Sequence, residues 1–415
     1  MDFKKKRWIF IVLTAISYSA VWTFPYMIET YYIPVQQAFG FTNEQIGTMM
    51  SMFGIVSAIM YFPGGIFADR FSLKTLLSLA FLGTGLLGAI TLMIPPLPVM
   101  MAVQFGYGLT LVLALWAAII KFIRMVGNED EQGKLYGWFF AFSGAAGALM
   151  GFGATALYDR LGQSVFAFKA LVLFYILCTV LPALIFLITF KTAEAFPDTG
   201  SDDKINLKDI KKIIKMPIVW IMIVVVYASF IPKSTMTYFQ GYLETYYAVP
   251  ITLISVIAII RVQVIRLVVS PASGWLTDKL HASSKTLMIG FIIGIVGGGI
   301  LMLTPRTQGL AWLIILALFM YATLYNIGMS NYFIPISEAG IPAKYTGTIT
   351  GFVSVIGFSS DIFYYNFAGG LIDANPDTGY TTIFAISLIC CVVGFIFSLF
   401  LRKSIKTTRE RKILD

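Results

Sequence analysis

Gly65-Ile66-Phe67-Ala68-Asp69-Arg70-Phe71-Ser72-Leu73-Lys74 is a short charged island between two long apolar runs, and it recurs once. Gly274-Trp275-Leu276-Thr277-Asp278-Lys279, with Lys285 beyond it, repeats the glycine, the aspartate and the following cation 209 residues later. In so apolar a sequence each copy belongs in a tight loop at a membrane surface. The glycine is expected to let two helices approach closely, and Asp69 and Asp278 to reach a neighbouring cation or an exposed helix N-terminus.

The 415 residues are 58% hydrophobic and 12% charged, with a mean hydropathy of +0.82. Soluble domains carry about 25% charged residues, so this is a polytopic, all-α membrane protein. Its formal charge of +9 does not point to nucleic acid, because the cations fall where a membrane topology places them. Cys178, Cys390 and Cys391 sit inside apolar runs and His281 is the only histidine. That leaves no metal cluster, no disulfide framework and no Ser-His or Cys-His arrangement, so neither an enzyme nor a bound cofactor is expected. Lys4 to Arg7 precede an apolar run too long for a signal peptide, which reads as a retained first span.

A bilayer core of about 30 Å takes roughly 20 apolar residues per helix. With that ruler, spans fall near 8–33, 46–67, 75–95, 98–122, 136–158 and 165–190, then near 217–245, 251–276, 286–304, 309–334, 346–371 and 379–401. Twelve spans divide as a six-helix bundle over 1–190, a linker over 191–216, a second bundle over 217–402 and a tail over 403–415. Within the linker, Ile205, Leu207, Ile210, Ile213 and Ile214 alternate with lysines, as in a short amphipathic helix on a leaflet or a solvated connection. Lys and Arg are retained on the cytoplasmic side. The N-terminus, both motif loops, the linker and the tail share one face, so both termini are expected in the cytoplasm. With no Asn-x-Ser/Thr sequon, a bacterial inner membrane is the expected home. A monomer is expected.

The repeat extends beyond the loops. Glu29-Thr30-Tyr31-Tyr32 near the outer end of span 1 returns as Glu244-Thr245-Tyr246-Tyr247 near the outer end of span 7. Gly137 pairs with Gly351 and Asp159 with Asp373 at a similar offset. Two like-oriented bundles are thus related by an axis along the membrane normal, as in carriers whose halves move about a site between them.

On these residues the chain resembles the major facilitator superfamily over essentially its whole length. The family's loop motif is Gly, three residues, Asp, then Arg or Lys and further basic residues, between helices 2 and 3, with a weaker copy between helices 8 and 9. Gly65, Asp69, Arg70 and Lys74 match the first, with Ser72 where a glycine is usual, and Gly274, Asp278 and Lys279 match the second. The resemblance implies the major facilitator fold and a solute carrier working by alternating access, with the motif residues gating the cytoplasmic side. Two departures point away from drug/proton antiporters. Ala102 stands four before Gly106 where many proton-coupled members carry Arg, and Gly144, Gly147, Gly151 and Gly153 in helix 5 lack the antiporters' Gly-Pro element. The run from Trp116 through Lys121, Arg124 and Gly133 to Gly137 is loosely similar to organic-anion and organophosphate carriers.

Ionisable groups deep in a span cost at least about 2.5–3.5 kcal/mol and so mark function. The second half holds Lys233, Arg261, Arg266 and Asp361. Three cations against one carboxylate favour an anionic substrate. Arg261 and Arg266, five residues apart, point about 140° apart on a helix; one faces a cavity beside Gln263 while the other pairs with Asp361 or caps carbonyls. Lys233 follows Pro232, where a broken helix turns it inward, or it snorkels to headgroups. Tyr18, Trp22, Tyr26, Tyr238, Tyr325, Asn326, Tyr364 and Tyr365 are candidate contacts for a hydroxylated or planar solute, or packing residues. Asp361 is the candidate for proton coupling, with Glu29 and Glu244 as further carboxylates. The expected function is secondary active transport of a small organic anion, a carboxylate or sugar acid, with protons. The alternatives are a facilitator or symporter of a neutral solute and a transporter-like sensor.

Overall fold

The structure is a computed structural model describing residues 3–116, 118–119, 122–123, 132–189, 212–342 and 345–411. Among these residues the chain is helical, because a backbone with no water to bond must satisfy its own N–H and C=O groups. The linker expectations over 191–211, and Lys121 and Arg124, lie outside the described residues.

The helices are α1 (Phe3–Thr23), α2 (Met27–Phe39), α3 (Asn43–Arg70), α4 (Leu73–Thr91), α5 (Leu97–Tyr107), which continues as a π-helix over Gly108–Leu115, α6 (Gln132–Arg160) and α7 (Val165–Thr189). Then come α8 (Pro217–Thr235), a 3₁₀ turn over Met236–Tyr238, α9 (Phe239–Tyr247), α10 (Ile251–Ile259), a π-helix over Ile260–Val264 and α11 (Ile265–Leu280). The chain ends with α12 (Ser283–Leu303), α13 (Ala311–Asn331), α14 (Ile334–Glu338), α15 (Thr346–Gly357), α16 (Ser360–Ala374) and α17 (Pro376–Arg411).

Nine helical segments among the described residues are long and apolar enough to cross a bilayer, ten when α1 and α2, bent by 48° around Pro25, count as one. Of the other two expected spans, 46–67 lies within α3. The segment 346–371, read from the sequence as one span, is two helices broken at Phe358–Ser359. There the Ser359 hydroxyl donates to the Ile356 carbonyl at 2.7 Å, and such local side-chain bonds compete with the helical ladder. Surfaces confirm the setting: Ile188, Leu86 and Leu303 are 77%, 71% and 84% exposed, an arrangement fit for lipid.

The chain forms two compact units. One contains Met1–Ala195 and Pro250–Val264, the other Phe196–Val249 and Ile265–Asp415. The division therefore falls inside the eighth expected span, at the end of its π segment. In the first unit α1 packs on α6 and α7, α4 on α7, and α10 on α2 and α6. Buried Tyr31 ties these layers, its hydroxyl donating to the Gly151 carbonyl at 3.1 Å and lying 3.1 Å from that of Tyr175. In the second unit α8 packs on α15, α16 and α17, and α12 on α13 and α17.

Ser72, the residue that departs from the family loop, begins α4. It has extended backbone and its hydroxyl accepts from the Thr75 N–H at 3.1 Å, an N-cap that a glycine provides less well. Ser72→Ala is expected to destabilise by about 1 kcal/mol and Ser72→Gly by a few tenths, measured by unfolding in mixed micelles.

Candidate functional site

Pro232 has no N–H to donate, and three residues beyond it α8 tightens into the 3₁₀ turn that precedes α9. Lys233 sits at this irregularity and is 6% exposed. Asp361 occupies the first turn of α16, just past the break at Phe358–Ser359, where the helix N-terminus favours a carboxylate. Two interrupted helices thus bring the two charges together: Lys233 Nζ lies 3.3 Å from Asp361 Oδ2. The other oxygen, Oδ1, accepts from the Ser234 hydroxyl at 2.7 Å.

The lysine is held on further sides. It donates to the Tyr365 hydroxyl at 3.0 Å, and its ammonium lies 5.9 and 5.5 Å from the ring centres of Phe230 and Tyr365. Tyr365 follows Asp361 by one helical turn, and its carbonyl accepts from the Tyr238 hydroxyl. Phe230 stacks on Phe358 at 4.3 Å and meets the edge of Tyr325 at 5.6 Å. Behind this layer the Thr235 hydroxyl lies 2.6 Å from both Tyr364 and Ser387, tying α8 to α16 and α17. Gly357 permits the approach of α15 to α8, since a Cβ there would come within 2.6 Å of Val226.

Several expectations change. Asp361 was expected beside an arginine, and its cation is Lys233. Lys233 is buried and does not snorkel, because a carboxylate and a hydroxyl replace its water. Arg261, 3% exposed in the π segment, donates to the main-chain carbonyl of Glu29 at 2.5 Å, at the start of α2. Arg266 is exposed and has no ion-pair partner among the described residues. Gln263 and Ser19 crowd Gly147, both within 2.6 Å of where its Cβ would stand. Tyr18 is buried against Trp22, Phe139 and Phe140, and the Trp22 indole N–H is buried without a hydrogen-bond partner among the described residues. Asn326 donates to the Ala322 carbonyl of its own helix at 2.8 Å. Glu244 lies half-buried on α9.

The loops differ too. Gly65, Asp69 and Arg70 form the end of α3, and their side chains lie outside the described residues; Lys74 is half-buried in α4. Among the described residues Gly274 is not a close-approach site, since none of them lies within 4 Å of an added Cβ. Asp278 and Lys279 are exposed, with the ammonium 5.0 Å over the Trp275 ring. What is buried at this loop is Thr277, whose hydroxyl reaches Thr286 at 2.8 Å and Asn331 at 2.5 Å. Glu338 completes the corner by accepting from the Ser283 N–H at 2.7 Å and hydroxyl at 2.9 Å. Sequence reasoning missed Ser234, Thr235, Ser387 and Glu338. Only Ser234, adjacent to the buried lysine, carried a local signal.

The family model described as Major Facilitator Superfamily matches residues 8–365. The chain belongs to the major facilitator superfamily. It is 26% identical to the inner membrane protein YihN of Escherichia coli (strain K12) over 99% of this chain and 98% of that one. To YqcE of the same organism it is 26% identical over 97% and 96%. A solved bacterial homolog of the human lysosomal transporter Spinster superposes with a TM-score of 0.73 at 13% identity, covering 99% of both chains. The nucleoside transporter NupG gives 0.70 at 13%, covering 98% and 100%. This major facilitator protein is therefore a multi-pass membrane transporter and not an enzyme. Irregular backbone at membrane depth is tolerated where it is buried in protein or lines a water-filled cavity, and the helix break at Lys233 is buried in protein.

Proposed function

We propose that this facilitator protein is a secondary active transporter that carries a small organic anion, a carboxylate or sugar acid, together with a proton by alternating access. The observation that carries this reading is the buried Lys233–Asp361 pair at two helix breaks. A proton on Asp361 cancels the charge that holds Lys233, and a substrate carboxylate then replaces it as the partner of the ammonium. One anion and one proton move no net charge. The membrane potential, worth about 2.3 kcal/mol per charge per 100 mV, then does not oppose uptake.

Arg261, Arg266 and Gln263 would add positive field and hydrogen bonds, with Tyr18, Trp22, Tyr238, Tyr325 and Asn326 as further contacts. Glu29 and Glu244 would serve as outer carboxylates. The loops at Gly65, Asp69, Arg70 and Lys74 and at Gly274, Asp278 and Lys279 would gate the cytoplasmic side. Both termini would be cytoplasmic and the carrier a monomer in a bacterial inner membrane.

A second reading, a neutral hydroxylated solute, draws on Lys233 already being matched by Asp361 and surrounded by hydroxyls. Purified protein screened by thermal shift against organic acids, sugar acids and neutral sugars selects the solute, and labelled solute in proteoliposomes then separates the readings. For the proton-coupled carrier, Asp361→Asn keeps solute counterflow and loses accumulation driven by a pH gradient. Undiminished pH-driven accumulation by that variant, or wild-type flux indifferent to pH and voltage, overturns the proposal.

A further inference from the structure

The first span breaks at Pro25, and the break takes backbone groups out of the helical ladder. Pro25 brings no N–H to that ladder, and α1 and α2 meet there at 48°. The Phe24 N–H turns back to the Val21 carbonyl at 3.2 Å and the Glu29 N–H to the Tyr26 carbonyl at 2.9 Å, both of them tighter three-residue closures. Tyr26, which precedes α2, makes no side-chain bond to that helix's first turn. At membrane depth, groups freed in this way are served by neighbouring side chains or by ordered water.

A cavity of about 20 Å³ lies against the break, lined by residues of the first unit. Its wall includes Met27 and Ile28 from the first turn of α2, Met49 of α3, Thr91 of α4, and Met100 and Gln104 of α5. A water needs about 10–15 Å³ of such space, so the cavity admits one water and no organic solute.

Gln104 decides what belongs there. It is 1% exposed, and its Nε2 donates to the Pro25 carbonyl at 3.4 Å. Turning the amide over would set two acceptors face to face, so the break itself fixes the orientation. The carbonyl oxygen Oε1 is then buried with no hydrogen-bond partner among the described residues. An acceptor stripped of its hydration in this way calls for a donor. Thr91 does not supply one, because its hydroxyl donates along its own helix to the Leu87 carbonyl at 3.4 Å. That leaves Thr91 with lone pairs to offer and no proton. Cavities lined by apolar groups alone stay dry, whereas a polar wall with several partners holds water.

We propose that this cavity is a water site that completes the broken first span. The water donates one proton to Gln104 Oε1 and the other to Thr91 Oγ1, and accepts from the uncapped first turn of α2. It thereby ties α4 and α5 to the break and replaces ladder bonds that Pro25 deletes. This inference is independent of which solute is carried.

The test is X-ray radiolysis of the full chain in micelles, read by mass spectrometry as methionine sulfoxide. Water held inside a protein forms hydroxyl radicals where it sits, so a methionine beside it is oxidised although bulk solvent does not reach it. Met49 and Met100 are buried on the cavity wall, and Met222 of α8, buried elsewhere, is the control. The expected result is oxidation of Met49 and Met100 faster than that of Met222 by about tenfold, as a resident buried water requires. Gln104→Leu removes the acceptor and is expected to bring both down to the Met222 rate in protein that stays monodisperse. Should that variant fail to fold, the comparison within the parent protein decides alone. Equal oxidation of the three methionines in the parent overturns the proposal. So does fast oxidation of Met49 and Met100 that persists in folded Gln104→Leu, since the radicals then enter from bulk solvent.

Discussion

Lys233→Ala is expected to destabilise the protein by about 3–5 kcal/mol, because it strands Asp361 as a charge with no counterion in the protein interior. Among the described residues the carboxylate would keep only the Ser234 hydroxyl, at 2.7 Å. The double variant Lys233→Met with Asp361→Leu removes both charges and is expected to recover most of that loss. Replacing a buried pair by apolar residues of similar size is often neutral. Unfolding of the purified variants in mixed micelles measures both, and neither should transport. A single variant within about 1 kcal/mol of the parent would show that water reaches Asp361 freely, against its environment in this structure. The comparison separates what the pair does for the fold, which the double variant replaces, from what it does for transport, which it does not.

Gly379→Val is expected to prevent correct folding, and Gly379→Ala to cost more than the 1–3 kcal/mol of ordinary overpacking. A Cβ at this position on α17 would lie 2.5 Å from the Leu371 carbonyl oxygen and 2.7 Å from the Ile372 Cα. Both belong to the backbone of α16, which cannot rotate aside as a side chain does. Gly299 on α12 is the control, with none of the described residues within 4 Å of its Cβ position. Gly299→Ala is expected to be neutral, or stabilising by up to about 1 kcal/mol through helix propensity alone. Monodispersity on size-exclusion chromatography and the thermal midpoint read both. Equal behaviour at the two positions would mean that α16 and α17 are less closely packed than their backbones indicate.

Much of this protein was legible in its sequence because the bilayer imposes a simple rule. A backbone in hydrocarbon must bond to itself, so runs of about 20 apolar residues become helices whatever their detailed order. The duplicated Gly-Asp-cation loop and the Glu-Thr-Tyr-Tyr echo therefore sufficed for the superfamily, the helical class and the candidate charges Lys233 and Asp361. Lys233 and Asp361 are 128 residues apart, and no local pattern states which cation faces which carboxylate. Arginines within one helix were the nearer guess by type, and tertiary packing chose the lysine.

Tertiary structure alone also decided that the second loop is anchored by Thr277 and Asn331, while Asp278 stays exposed. Hydroxyls and amides acquire meaning only from the partner that packing brings to them, whereas apolarity acts on water and lipid directly. For the same reason the break before Asp361 and the allegiance of Pro250–Val264 escaped the sequence. Hydropathy sets where a helix lies with respect to the bilayer, and side-chain contacts over long separations set where it bends and what it rests against.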